Sequence, residues 1–161
     1  MTSRDAFTEE EWARVRRAPM VAGMAISIAD PGGPIELTKE TLASLKAASS
    51  PPSNEELLTA VSQDIMSMSK QKQNPLGDFK IEHSSLAATQ ILDELSGVHD
   101  IVRAKGTPEE TEAFGRWMVA VTQDAANAAK EGGFMGFHAE RVSQGEQDML
   151  HRVAATFEIT P

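Results

Sequence analysis

Asp148 and His151 stand three residues apart in a stretch of helical period, which places a carboxylate and an imidazole on one helix face. Di-iron helical bundles use that arrangement, together with a second carboxylate-x-x-His pair and two further glutamates. The chain has no second such pair. The ordinary reading is therefore an exposed histidine beside an acid.

Oxygen donors flank the first glycine loop, Asp30 before it and Glu36 and Glu40 beyond it. Hard oxygen ligands on either side of a turn suit Ca²⁺ or Mg²⁺, although the alternating acids of an EF-hand loop are absent. These three are the candidate divalent-metal residues, and no other cofactor is expected. Nucleophilic catalysis finds no support. His83, His99, His138 and His151 lie in separate segments, no serine occupies a Gly-x-Ser-x-Gly elbow, and there is no cysteine, so no catalytic residue is assigned.

The second glycine loop, Glu131-Gly132-Gly133-Phe134-Met135-Gly136-Phe137-His138, interleaves three glycines with two phenylalanines and a methionine. It lacks the preceding strand and the following Lys-Ser/Thr that a phosphate-binding loop requires. Its aromatics must be covered, since large apolar side chains in a solvated connector forfeit hydration free energy. Two readings stay open: Phe134 and Phe137 plug the end of a bundle, or they line a ligand pocket or a dimer contact. Gly132, Gly133, Phe134, Phe137 and His138 are accordingly the candidate ligand or interaction surface.

The elements that must position these residues read as helices. Four sites carry the capping-box pattern: Thr8 with Glu11, Ser53 with Glu56, Thr107 with Glu110, and Ser143 with Glu146. Pro19 and Pro34 mark two further starts, where a missing N–H has no intrahelical partner to lose. The expected helices are Glu9 to Arg17, Pro19 to Ala29, Ile35 to Ala48, Asn54 to about Lys70, a long one on the stripe Leu86 to Val102 ended by Gly106, Pro108 to Lys130, and Gln144 to Phe157. Gly97, inside the fifth, marks a close helix crossing. The polar stretch Gln71 to Asp78 reads as a loop, and no alternating β-branched run suggests a strand.

Two of these units share one layout. Thr8-Glu9-Glu10-Glu11 opens an apolar run that reaches Gly32-Gly33, and Thr107-Pro108-Glu109-Glu110 opens another that reaches Gly132-Gly133. The expectation is an all-α bundle of six to eight helices with two pseudo-repeated helix, glycine loop, helix units in one domain, residues 1–161.

Composition bounds the function. With 161 residues, 40% of them hydrophobic, the chain can bury a continuous core without disulfides. A formal charge of −9, from 24 acids against 15 bases, disfavours phosphate backbones and anionic lipid surfaces. The local basic cluster, Arg14, Arg16 and Arg17, reads as a solvated helix end rather than a phosphate site. The apolar run Ala18 to Ala29 is too short to span a bilayer, and the acidic start offers no signal peptide.

The stretch Ala128 to Phe157, with its Lys-Glu-Gly-Gly-Phe-Met-Gly-Phe loop, Arg141-Val142-Ser143 and Glu146, resembles uncharacterised bacterial helical proteins. The first unit, apolar Ala22 to Ala29 followed by Asp30 and a glycine loop, is similar to the TerB-like tellurite-resistance family. In place of that family's Asp-Gly with several close acids, this chain has Asp30-Pro31-Gly32-Gly33-Pro34, with Glu36 the nearest acid. The resemblance implies a helical fold related to stress resistance.

The functional expectation is a non-enzymatic cytoplasmic interaction or regulatory protein, acting as a homodimer, with no nucleic acid and no membrane among its partners. The alternative is a helical bundle that binds a small molecule or a metal.

Overall fold

Capping decides where the two most strongly marked helices begin. In the computed structural model, which describes residues 4–27, 51, 54–73, 76, 79, 86–131 and 144–159, helix α1 spans Glu9–Ser27 and α4 spans Pro108–Glu131. At the start of α1 the Glu11 N–H donates to Thr8 Oγ1 at 3.1 Å, and the Thr8 N–H donates to Glu11 Oε1 at 2.9 Å. Thr107 and Glu110 repeat the reciprocal pair at 3.0 and 3.1 Å. Each box satisfies two backbone donors that the first turn of a helix leaves over.

Between these lie α2, Glu56–Lys70, and α3, Ala87–Lys105, and α5, Gln144–Thr156, closes the set. A short 3-10 turn, Arg4–Ala6, precedes α1. The described residues form five α-helices, one short 3-10 turn and irregular stretches, with no strand among them.

Helix α1 departs from expectation. Pro19 does not separate two helices; it lies inside one. A proline interior to a helix removes one backbone hydrogen bond and crowds the preceding turn, at a cost of about 3 kcal/mol. Packing on both sides of it offsets that cost: Trp12, Val15, Ala18, Met20, Val21, Ala22 and Ala25 are all buried. The basic cluster holds the same stretch from outside the core. Arg14 and Arg17, one turn apart, both pair with Glu94 on α3, with closest contacts of 3.2 and 2.8 Å. Arg16 reaches the other way, to Asp64 on α2 at 3.2 Å, and Asp64 also accepts the Trp12 indole N–H at 2.8 Å. These arginines are neither a solvated helix end nor a phosphate site; they tie α1 to two neighbours.

The start of α2 also differs. Its N-cap is Glu55, which makes no side-chain capping bond, and the expected cap Ser53 lies outside the described residues. The capping comes from another helix: Glu110 Oε2 accepts the Leu57 N–H at 3.3 Å.

Helix α1 packs most extensively on α3 and α4, and α5 lies against α4 and α3. One hydrophobic core takes residues from all five helices, among them Trp12, Leu57, Ile65, Leu95, Phe114, Met118 and Val153. Two glycines permit close approaches. A Cβ at Gly97 would collide with the Arg14 guanidinium, so what the glycine admits on α3 is the end of an arginine side chain from α1. A Cβ at Gly115 would stand 2.9 Å from Phe157 Cβ and 3.0 Å from Ile159 Cγ1, which is how the end of α5 seats against α4.

Candidate functional site

Three helix ends converge beside that seat. The last turns of α3 bring His99, Arg103 and Gly106; the first turns of α4 bring Pro108, Thr111, Glu112 and Arg116; the exit from α5 brings Phe157, Glu158 and Ile159. They enclose an open cleft of about 490 Å³.

The floor follows from helical period. Ile91, Leu95, Val98 and Val102 form the buried stripe of α3, and His99 borders it one turn after Leu95, so its ring is carried inward and is only 6% exposed. Phe157 meets the His99 ring edge to face, with centroids 5.6 Å apart, and also packs on Phe114. The cleft thus opens directly from the aromatic part of the core.

The α5 exit is a Schellman turn. The Ile159 N–H donates to the Ala154 carbonyl at 2.9 Å and the Glu158 N–H to the Ala155 carbonyl at 3.1 Å. That geometry puts Glu158 in the left-handed region, φ 56°, where glycine is the usual occupant. Ile159 is buried and anchors the turn. The Glu158 side chain is 69% exposed, yet its Oε2 lies 3.1 Å from His99 Nε2 and 3.9 Å from Arg103 Nη1. A carboxylate only accepts, so Nε2 is the protonated ring nitrogen in this contact.

The remaining charges sit at the rim. Arg103 also contacts Asp100 at 3.4 Å, and Arg116 bonds Glu112 one turn earlier at 2.8 Å. These side chains are exposed, and pairs of that kind hold weakly in water. The Thr111 hydroxyl donates to the Thr107 carbonyl at 2.9 Å, within the helix. The cleft therefore joins an apolar wall, Phe157 and Ile159, to convergent donors, His99 and Arg103, with Arg116 at the mouth. That combination suits binding of a small molecule by burial plus a few directed polar contacts.

The described lining of the cleft includes none of the candidate residues singled out from sequence. Gly132, Gly133, Phe134, Phe137 and His138 lie outside the described residues, as do Asp30, Glu36 and Glu40. Asp148 and His151 are both exposed on α5, and Asp148 accepts a bond from Gln144 at 2.9 Å. No group of three or more metal-ligating side chains occurs among the described residues. No described helix is long and apolar enough to cross a membrane.

Sequence reasoning missed His99 with Glu158. One signal was present, because His99 borders the apolar stripe of its helix. The other partner carried none: Glu158 takes a position where the left-handed conformation would have been marked by glycine.

No protein-family model, curated protein or solved structure matches the chain.

Proposed function

We propose that this protein is a non-enzymatic binding protein of regulatory type, which takes a small organic ligand in the cleft between the ends of α3, α4 and α5. The observation that carries this reading is the buried His99 ring, which lines a concavity where Phe157, Ile159 and Pro108 meet mostly polar and charged side chains. A buried polar ring costs free energy unless it is bonded, and here its Nε2 bond is to a side chain standing mostly in solvent. A site of that composition and size is what small-ligand recognition uses. The expected setting is the cytoplasm, with ligand occupancy passed on to a partner or to a second copy of the chain.

The architecture in this proposal is a bundle of six to eight helices with two pseudo-repeated units. The matching Thr8–Glu11 and Thr107–Glu110 capping boxes support that internal symmetry. A distant kinship with the TerB-like family belongs to the same proposal.

The test is a nuclear magnetic resonance titration of the full chain with a small set of aromatic and aliphatic fragments, following the His99 ring protons. A fragment that saturates and moves those signals while leaving the exposed His151 ring unmoved is the expected result. A set in which every compound leaves His99 unchanged at millimolar concentration would sink the reading.

A further inference from the structure

We infer that the cleft selects a ligand carrying a carboxylate on an apolar body, and that Glu158 occupies the carboxylate position when the cleft is empty. This inference rests on the small-molecule reading given above and names the class of ligand and the way its access is controlled.

The argument starts from what faces the inner end of the cleft. His99 Nε2 presents a donor there, and Arg103, four residues on along the same face of α3, holds its exposed guanidinium beside it at the rim. A single oxygen, Glu158 Oε2, sits against both, at 3.1 Å and 3.9 Å. The chain's own carboxylate thereby marks a carboxylate-sized acceptor position. An amine placed there would meet a ring N–H and a cation, which repel it.

Glu158 is suited to yield that position. Its side chain is 69% exposed, so when a ligand carboxylate takes over the His99 and Arg103 contacts, Glu158 exchanges both for hydration at little loss. Its backbone is held independently by the Ala154 and Ala155 carbonyls, so the turn does not depend on the side chain staying in. The apolar wall made by Phe157 and Ile159 lies beside the same position and would cover the body of the ligand. Arg116, whose bonds among the described residues run along its own helix to exposed Glu112, also lines the cleft as a second cation able to turn toward an anion.

A competing internal group lowers apparent affinity by the fraction of time that it occupies the site. Removing the Glu158 carboxylate should therefore tighten binding of an acid, and removing Arg103 should weaken it. Neither change touches the core, since both side chains are mostly exposed.

The experiment uses 3-phenylpropionate, 3-phenylpropanol and 3-phenylpropylamine as probes of one shape and three charges. Each is titrated into the wild-type chain and into Glu158→Gln, Glu158→Gly and Arg103→Gln, read by calorimetry and by the His99 ring protons. The expected result is that the wild type binds the acid more tightly than the alcohol or the amine, with acid affinity raised about three- to tenfold in both Glu158 variants and lowered by a similar factor in Arg103→Gln. Alcohol affinity should change by less than about twofold in any variant. Binding of the alcohol or amine at His99 with no preference for the acid overturns this inference and leaves the small-molecule reading standing. So does an acid whose affinity is unchanged or falls in both Glu158 variants. If none of the three probes moves His99 in any of the proteins, both readings fall together.

Discussion

The Glu110 carboxylate joins the starts of two helices: Oε1 closes the capping box of its own helix with Thr107, and Oε2 accepts the Leu57 N–H of α2 at 3.3 Å. The residue is only 1% exposed, so this acid is buried in the service of backbone donors. Replacing it by alanine leaves the Thr107 and Leu57 N–H groups without their acceptor and opens a cavity. Glu110→Ala should cost about 2–4 kcal/mol of stability, measured by urea unfolding. A loss below about 0.5 kcal/mol would show that water replaces both bonds.

Two glycines allow a paired prediction. At Gly97 the atom in the way of a new Cβ is the far end of the flexible Arg14 side chain, whereas at Gly115 it is Phe157 Cβ. Gly97→Ala also gains about 1 kcal/mol of helix propensity. Its net effect should stay within about 1 kcal/mol, with the energetic effect of Arg14→Ala abolished in the Gly97→Ala background. Gly115→Ala should instead destabilise by about 1–3 kcal/mol, because the end of α5 must move away. Equal effects at the two sites would contradict this account of the crossings.

Glu11 supplies a pH dependence with a definite sign. The Thr8 backbone N–H, then Lys105 at 3.6 Å, hold its carboxyl below the ordinary glutamate range, against the opposing effect of desolvation. A group with a depressed folded value binds protons more weakly in the native state than in the unfolded chain. Its contribution is complete above the unfolded value and is lost as pH falls through the folded one. Glu11→Gln should therefore flatten the acid side of a melting-temperature profile while lowering stability at neutral pH. An unchanged acid slope would show that the capping box does not depend on the charge.

Glu158 holds a left-handed backbone that glycine would adopt more readily. Its contact with His99 is screened on the exposed Glu158 side, and in its absence water in the open cleft takes the buried ring nitrogen, so losing the contact costs less than the backbone gains. Glu158→Gly should raise stability by about 1 kcal/mol. A stabilised variant with altered ligand affinity would place this residue among those kept for binding at the expense of stability. A destabilised one would make the His99 contact structural.

Glu94 accepts both Arg14 and Arg17 and is itself mostly buried. Glu94→Ala should cost about 2–4 kcal/mol, since it leaves two partly buried guanidiniums facing α3 without their acid. Thermal unfolding of this variant beside Arg14→Ala and Arg17→Ala should show the acid to matter more than either base. Equal losses in all three would mean that the arginines contribute through packing of their stems.

What the sequence determined by itself was local. The 3.6-residue period, the Thr8 and Thr107 capping boxes and the stop at Gly106 concern residues within a turn or two of one another, and the helix starts and ends they mark lie where expected. Gly97, read as a close helix crossing, instead admits the end of the Arg14 side chain. Tertiary structure decided the rest. The Pro19 break was overruled by burial on either side of it and by arginines whose acids lie 48 to 80 residues away in the chain. The capping of α2 by Glu110 spans 53 residues, and the meeting of His99 with Glu158 spans 59. No periodicity reports such pairs, because a helix pattern says which face is buried and is silent about which charged or polar side chain waits on the facing element.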